Sequence, residues 1–275
     1  MALPYPLFWL KSSTGYAADA LVAGFVADKS VDKWRFPLIS GEYCDSKMQK
    51  IIVLNSKGGC GKTTIATNLA SLYAQQDFVT ALMDYDPQGS SMRWLSLRPQ
   101  DDKKIFGVQA HRQPGSAQTR AFQLRLPHTT ERVVIDAPAG VSGQALVDFI
   151  CQVNVLLIPV LPSPIDIHAA TTFIKELLLV GKIRSHGVRV GVLANRTRKN
   201  TRVYQSLERF LTSLKLPLIA SLRDTQHYVH AAERGIGVHE LWDKRAEQDR
   251  LQWQQIMTWL EDNRAMIAKH QRHVP

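Results

Sequence analysis

MQKIIVLNSKGGCGKTT, residues 48–64, decides how this chain is read. Its first half, MQKIIVLNS, is a short apolar run, the pattern of a strand buried on both faces. KGGCGKTT, Lys57 to Thr64, follows at once, and a helix-forming segment, 62 to 76, comes next. Strand, glycine-rich turn and helix form the context that separates a true phosphate-binding loop (P-loop) from a chance match. Gly58, Gly59 and Gly61 let the backbone curl so that successive N–H groups face one phosphate, and the helix dipole adds attraction for the anion. Lys62 is expected to reach the β- and γ-phosphates of a nucleotide, Thr63 to place its hydroxyl on Mg²⁺, and Thr64 to meet the α-phosphate. Cys60, inside the loop, reads as a small residue buried against the sheet rather than as a redox sensor.

Working outward, further apolar runs occur at 78 to 86, 131 to 139, 153 to 162 and 188 to 196, with one more short strand in LPLIASLRD. They alternate with helical stretches at 62 to 76, 143 to 151, 167 to 181 and 201 to 213, and residues 246 to 269 read as a closing helix. This alternation predicts an α/β fold of the P-loop NTPase kind: a doubly wound, mostly parallel sheet with helices on both faces. The nucleotide-binding domain is expected over 48–275. Residues 1–47 mix Pro, Gly, Ser and scattered aromatics without a sustained period. They read as a loosely structured N-terminal extension or, equally, as untranslated sequence ahead of a start at Met48.

A chain of 275 residues with 45% apolar content can bury a substantial core. No apolar run reaches the roughly 18 to 20 residues of a membrane-spanning helix, and the opening MALPYPLFWLKSS lacks the basic start of a signal peptide. The expectation is a cytoplasmic protein. Its three cysteines, Cys44, Cys60 and Cys151, form no CxxC pair, so neither a disulfide nor zinc is expected. The net charge is +10 and is unevenly placed: residues 1–47 balance five basic against five acidic side chains, whereas 182–250 hold 14 Lys/Arg against 7 Asp/Glu, a surplus of 14 − 7 = +7. Such a surplus suits a polyanionic partner.

Two further segments carry acids at strand ends, where open α/β sheets bind ligands. FVTALMDYDPQGS (78–90) presents Asp84 and Asp86. Asp86 is the candidate for orienting the attacking water and approaching the metal, and Asp84 for supporting the loop lysine or the metal's water shell. VVIDAPAG (133–140) ends an apolar strand in Asp136, the chemistry of a Walker B acid that holds Mg²⁺ through water.

Taken together, KGGCGKTT, DYDPQG, VVIDAPAG and IPVLPSPIDIHAA resemble the ParA/MinD family of deviant Walker ATPases, closest to the compact ParA-type partition proteins without an N-terminal helix-turn-helix. The likeness covers about residues 48 to 260, and its most specific residue is Lys57, which stands where the family's signature lysine reaches a partner's nucleotide. The resemblance implies a slow, partner-stimulated, Mg²⁺-dependent ATP hydrolase. It also implies a homodimer formed with ATP, non-specific DNA binding on the nucleoid, and a ParB-like or cargo adaptor protein, in the service of plasmid partition, chromosome segregation or another cargo. It places Asn195 against adenine, beside an equally open loop-capping role, and Pro162 and Asp166 in the switch or dimer region. Arg196, Arg198, Lys199 and Arg202, with Arg223 and Arg234 and a contribution from Lys244 and Arg245, are the candidates for phosphate contacts with DNA.

The rival within the fold is a MinD-like membrane-associated ATPase, because Trp253, Ile256, Met257, Leu260 and Ile267 recur at helical spacing in the tail. Glu261 and Asp262 interrupt its basic character, and DNA is the preferred surface. An iron–sulfur ATPase of the nitrogenase iron-protein kind needs paired cluster cysteines, which Cys44, Cys60 and Cys151 do not supply. A nucleotide switch that scarcely turns over is the third class.

Overall fold

The computed structural model describes residues 48–111, 124–180, 183, 186–198, 201–214 and 216–271, with side chains in the last helix described as far as Asp262. All of these lie in one compact unit, Asp45–Pro275, so the extension 1–47 falls outside the described residues. The strands are β1 (Gln49–Val53), β2 (Thr80–Asp84), β3 (Ile105–Gln109), β4 (Arg132–Asp136), β5 (Val155–Val160), β6 (Arg189–Thr197) and β7 (Leu218–Arg223). They form one sheet in the order β3-β2-β4-β1-β5-β6-β7, parallel at every pairing.

The helices are α1 (Lys62–Gln75), α2 (Ser90–Ser96), α3 (Gly143–Ile150), α4 (Pro164–Leu179), α5 (Arg202–Ser213), α6 (His227–Glu233) and α7 (Glu247–Gln271). From β1 the chain moves across β4 to β2 through α1, and later from β5 through α4 to β6 in the opposite direction. Right-handed crossovers of opposite travel put α1 on one face and α3, α4 and α5 on the other. The second face is sealed by one cluster that joins Leu146, Ile150, Phe173, Ile174, Leu207 and Leu211 to the sheet's Ile52, Leu156 and Val192. β2, β4 and β5 are buried at every position, which is why they read as unbroken apolar runs.

β3 escaped the sequence reading. It lies at the sheet's edge, Phe106 and Gly107 in its centre are exposed, and so it shows neither a continuous run nor a clean alternation. The short α2 and α6 were missed as well, since seven residues span barely two turns of pattern.

α7 runs from the end of β7, where Asp249 meets Arg223, to the starting ends of β6 and β4. Trp253, Ile256, Met257 and Leu260 are buried in the domain, so the stripe that sequence spacing offered to a membrane is spent on the core; the Ile267 side chain lies outside the described residues. Among the described residues no helix is long and apolar enough to cross a membrane. Two arginines fasten the far end of this helix. Arg189 donates to the carbonyls of Trp259 (2.9 Å) and Leu260 (3.2 Å) and lies over the Trp259 ring at 4.2 Å. Arg132, fully buried at the start of β4, pairs with Glu261 at 3.0 Å and stacks on Phe78 at 3.9 Å. The turn after α6 is equally constrained: Gly235 has φ +65°, and a Cβ there would lie 2.3 Å from the backbone nitrogen of Arg98.

Removing Glu261 would leave the Arg132 guanidinium buried without its counter-ion. We expect Glu261→Ala to cost about 2–3 kcal/mol, below a fully buried pair because Glu261 keeps some solvent contact, and the double change Arg132→Met with Glu261→Leu to cost less than Glu261→Ala alone. Urea denaturation of the three proteins checks this, and wild-type stability in Glu261→Ala would refute it.

Candidate nucleotide site

The site forms where β1 gives way to α1, between β4 and β5 in the centre of the sheet, the point at which strand order reverses and open α/β sheets form their crevice. Gly61 is the N-cap of α1, in left-handed conformation at φ +95°, with no side chain capping the helix. The helix's first N–H groups are therefore not consumed by a cap, as a phosphate site requires. Gly59 is also left-handed, at φ +75°.

The loop is gripped from outside. Asn55 donates its amide to the Pro159 carbonyl at 2.7 Å and accepts from the Lys57 N–H at 3.3 Å, tying the loop's entry to β5. Gly140 N–H donates to the Ser56 carbonyl at 2.9 Å, tying it to the segment after β4. Asn195, at the end of β6, donates to the Cys60 carbonyl at 2.8 Å and accepts from Arg196 N–H at 2.9 Å. Of the two roles left open for Asn195, the structure displays the loop-bracing one. A Cβ on Gly61 would fall 2.1 Å from that amide nitrogen, so any side chain there would displace the Asn195 brace as well as strain the backbone.

Within the loop the Lys57 carbonyl accepts from both the Lys62 ammonium (3.2 Å) and the Cys60 thiol (3.3 Å). Burial pushes the Cys60 thiol up from its ordinary value, which disfavours the reactive thiolate. The two loop lysines face different partners. Lys62 is buried, whereas Lys57 keeps 37% of its side chain exposed and ion-pairs with Asp166 in the first turn of α4. Asp166 is held in turn by Ser163, the N-cap of α4, whose hydroxyl accepts from the Asp166 N–H at 3.1 Å.

Three carboxylates gather opposite. Asp84 and Asp136 are register partners on adjacent strands, and Asp86 follows two residues after Asp84. Asp136, 1% exposed, accepts at Oδ2 from the Ser91 hydroxyl, while its Oδ1 is buried with no hydrogen-bond partner among the described residues. Burial pushes Asp136 up to about 6, with Ser91 and Thr63 opposing and the Asp84 and Asp86 charges adding to the rise. A buried carboxylate oxygen without a donor, beside the Thr63 hydroxyl, fits a Mg²⁺ ion or its bound water. Among the described residues no three His, Cys, Asp or Glu side chains could hold a metal by themselves.

Asp84 departs from expectation. Both its oxygens are engaged by the backbone, Oδ1 by Asp86 N–H at 3.0 Å and Oδ2 by Met92 N–H at 3.2 Å. It braces the turn that carries Asp86 rather than the lysine or the metal's water. Asp86 is half-buried and accepts at Oδ1 from Gln88 N–H at 2.9 Å, which fixes its direction at the rim of the crevice.

The basic candidates divide. Arg196 (φ +50°), Arg198 and Arg202 are exposed, and among the described residues the Arg198 guanidinium makes a long 3.5 Å contact with Asp224; Lys199 lies outside the described residues. Arg234, Lys244 and Arg245 are exposed. Arg223 is a correction: its guanidinium grips the fully buried Asp249 through Nε (2.5 Å) and Nη2 (2.8 Å) and donates to the Arg245 carbonyl at 2.7 Å. It anchors α7 and is not free for DNA. Sequence reasoning also missed Asn55 and Ser91, because a lone Asn after a strand or a Ser after a glycine carries no signal until its buried partner is known.

A family model described as the CobQ/CobB/MinD/ParA nucleotide binding domain matches residues 51–238, well over half the chain. Maintenance of carboxysome distribution protein A of Halothiobacillus neapolitanus is 28% identical over 199 residues, 71% of this chain and 89% of that protein. The protein of the same name from Gloeobacter kilaueensis is 32% identical over 117 residues, 42% of this chain and 51% of that one. Apo McdA from Cyanothece superimposes with a TM-score of 0.58 at 18% identity, over 73% of this chain and 96% of that one. A Borrelia burgdorferi plasmid partition protein bound to AMPPNP gives 0.58 at 15% identity, over 77% and 99%. At these identities the two structures show the shared fold alone.

Because Asp136 binds its proton more tightly in the folded chain than in the unfolded one, its ionisation costs stability as pH rises from about 4 to about 6. We expect Asp136→Asn to stabilise the nucleotide-free protein at pH 8, by on the order of 2 kcal/mol, and to leave it near wild type at pH 4. Denaturation in EDTA at the two pH values reads this directly; an equal effect at both would remove the buried-charge explanation.

Proposed function

The chain belongs to the CobQ/CobB/MinD/ParA nucleotide-binding family as a ParA-type deviant Walker ATPase, and from that premise we propose that it dimerises around ATP, binds DNA without sequence preference and positions a large cargo. The observation that carries this reading is Lys57. It precedes the loop glycines, leaves the loop's own carbonyl to Lys62, and holds Asp166 through a partly exposed pair. Such a pair is worth roughly 1 kcal/mol or less, so a charge-assisted contact with a phosphate on a facing subunit can replace it.

In this mechanism the N–H groups of Gly58 to Thr64 and the Lys62 ammonium bind the nucleotide's phosphates. Thr63 and Asp136 are the residues that would hold Mg²⁺, which supplies charge neutralisation between the phosphates. Asp86, its direction set by Asp84 and Gln88, orients the attacking water. Asn195 keeps the loop from springing open when the phosphate leaves. A dimer doubles the Arg196 and Arg198 surface, and electrostatic affinity for DNA rises steeply with the number of phosphates engaged.

The similarity spans 89% of a carboxysome distribution protein's length, which favours a protein compartment over a plasmid as cargo and a cytoplasmic, nucleoid-borne location. The membrane alternative loses support because Trp253, Ile256, Met257 and Leu260 are inside the domain.

Lys57→Ala should bind ATP within about twofold of wild type yet remain monomeric with ATP in light scattering, since about 1.4 kcal/mol of lost contact already costs tenfold in association. Equal dimerisation by the two proteins would defeat the assignment. Arg196→Glu with Arg198→Glu should weaken ATP-dependent retention on random duplex DNA and flatten its salt dependence by about one unit of slope per lost phosphate contact. Binding that ignores nucleotide would count against the positioning role.

A further inference from the structure

We propose that Ser91 is a positioning residue of the Mg²⁺ site, its hydroxyl turning the Asp136 carboxylate so that one oxygen is offered to the ion. The inference rests on the ATP and Mg²⁺ chemistry proposed above. Asp136 has one oxygen satisfied and one not. Its Oδ2 accepts from the fully buried Ser91, while Oδ1 is shut away from solvent without a hydrogen-bond partner among the described residues. The terminal torsion of an aspartate is broad and two-fold, so the backbone alone does not decide which oxygen faces the crevice. A donor fixed at one oxygen does decide it. Thr63 also lies beside Asp136, but its hydroxyl is expected to meet the ion itself and so is not available to hold the carboxylate.

Ser91 reaches Asp136 from outside the strands, in the first turn of α2. The next residue, Met92, donates its N–H to Asp84 Oδ2 at 3.2 Å. Asp84 and Asp136 end β2 and β4 as register partners, so two consecutive residues of one helix hold both strand-end acids. The helix is itself pinned: Trp94 is buried and gives its indole N–H to the Ile236 carbonyl at 3.4 Å. A backbone N–H serves Asp84 and a side-chain hydroxyl serves Asp136. Substitution therefore cannot remove the first contact, but it can remove the second and leave the helix standing.

Groups that orient a metal-holding side chain without touching the ion typically contribute roughly 10- to 100-fold to metal affinity. Without Ser91 the buried carboxylate would have two oxygens lacking donors and would be free to turn away from the crevice. The phosphates are bound elsewhere, by Lys62 and by the loop that Asn195 braces. Loss of the hydroxyl should accordingly be felt by the ion and not by the nucleotide alone.

The test titrates Mn²⁺, in place of Mg²⁺, into the full chain with ADP and follows the paramagnetic resonance signal of the free ion. Fluorescence of mant-ADP in EDTA reads nucleotide binding without the ion. Ser91→Ala should weaken Mn²⁺ binding about tenfold and leave mant-ADP binding in EDTA within about twofold of wild type. Ser90→Ala, the same change one residue earlier, should match wild type in both. Should Ser91→Ala not fold, Ser91→Cys keeps the volume, replaces the hydroxyl by a weak donor and should show the same selective loss. Wild-type Mn²⁺ affinity in the Ser91 variant or an equal loss in Ser90→Ala would overturn the proposal. So would a loss of mant-ADP binding in EDTA as large as the loss of Mn²⁺, which marks a general loosening of α2. If wild-type protein with ADP binds no Mn²⁺, the Mg²⁺ reading of the crevice falls first and this proposal with it.

Discussion

The first turn of α1 must keep its N–H groups available to an anion, and that requirement organises much of what surrounds it. A glycine N-cap forgoes only a few tenths of a kcal/mol but leaves the first N–H groups without a side-chain partner, and the helix is secured elsewhere. Ile65, Leu69, Leu72 and Tyr73 are fully buried. Asn68 accepts from Val238 N–H at 2.7 Å, and Ser71 and Gln75 donate to Glu240, itself paired with Arg98 at 2.9 Å. Asn55 and Asn195 do for the loop what these contacts do for the helix. The phosphate site is thus a bare helix end clamped on every side except the one that faces ligand, which is the condition for preorganisation.

Electrostatics in the crevice are arranged in opposition. The buried Asp136 has a proton affinity raised by desolvation and by two neighbouring carboxylates, so the ionised form is uncomfortable until a cation arrives. Lys62 donates to a backbone carbonyl and Lys57 to Asp166. A triphosphate can replace both: the first has a neutral acceptor, weaker than a phosphate, and the second is a partly exposed pair worth about 1 kcal/mol or less. The nucleotide-free arrangement thus leaves both loop lysines in contacts that an anion can replace.

Legibility from sequence followed burial. β2, β4 and β5 showed themselves as apolar runs because both of their faces are covered, and the P-loop because its glycines and lysine are diagnostic at that spacing. β3 did not, since an edge strand with Gly107 at its centre has little to bury. Lys62, Thr63 and Asp136 lie in one crevice as the motifs implied. What failed were roles fixed by a distant partner. Nothing near Arg223 announces that Asp249, on another helix, will take its guanidinium, and Asp84 could not be separated from Asp86 until the backbone donors at Asp86 and Met92 were in place.

The same point revises what the basic surplus means. Of the Lys and Arg residues between 182 and 250, Arg189 is committed to carbonyls of α7, Arg223 to Asp249, and Arg250 to the Leu241 and Asp243 carbonyls. These arginines hold the closing helix and offer little to an external polyanion. The exposed remainder among the described residues divides between Arg196, Arg198, Arg202 and Arg209, from the end of β6 into α5, and Arg234, Lys244 and Arg245 between α6 and α7. One monomer therefore engages far fewer phosphates than its +10 net charge suggests. Since affinity scales with phosphates neutralised rather than with total charge, the proposed function would make a single copy a weak DNA ligand, and an ATP-bridged pair that doubled the patch would change binding far more than twofold. On that proposal, nucleotide control of DNA binding would need no conformational change in the basic surface itself.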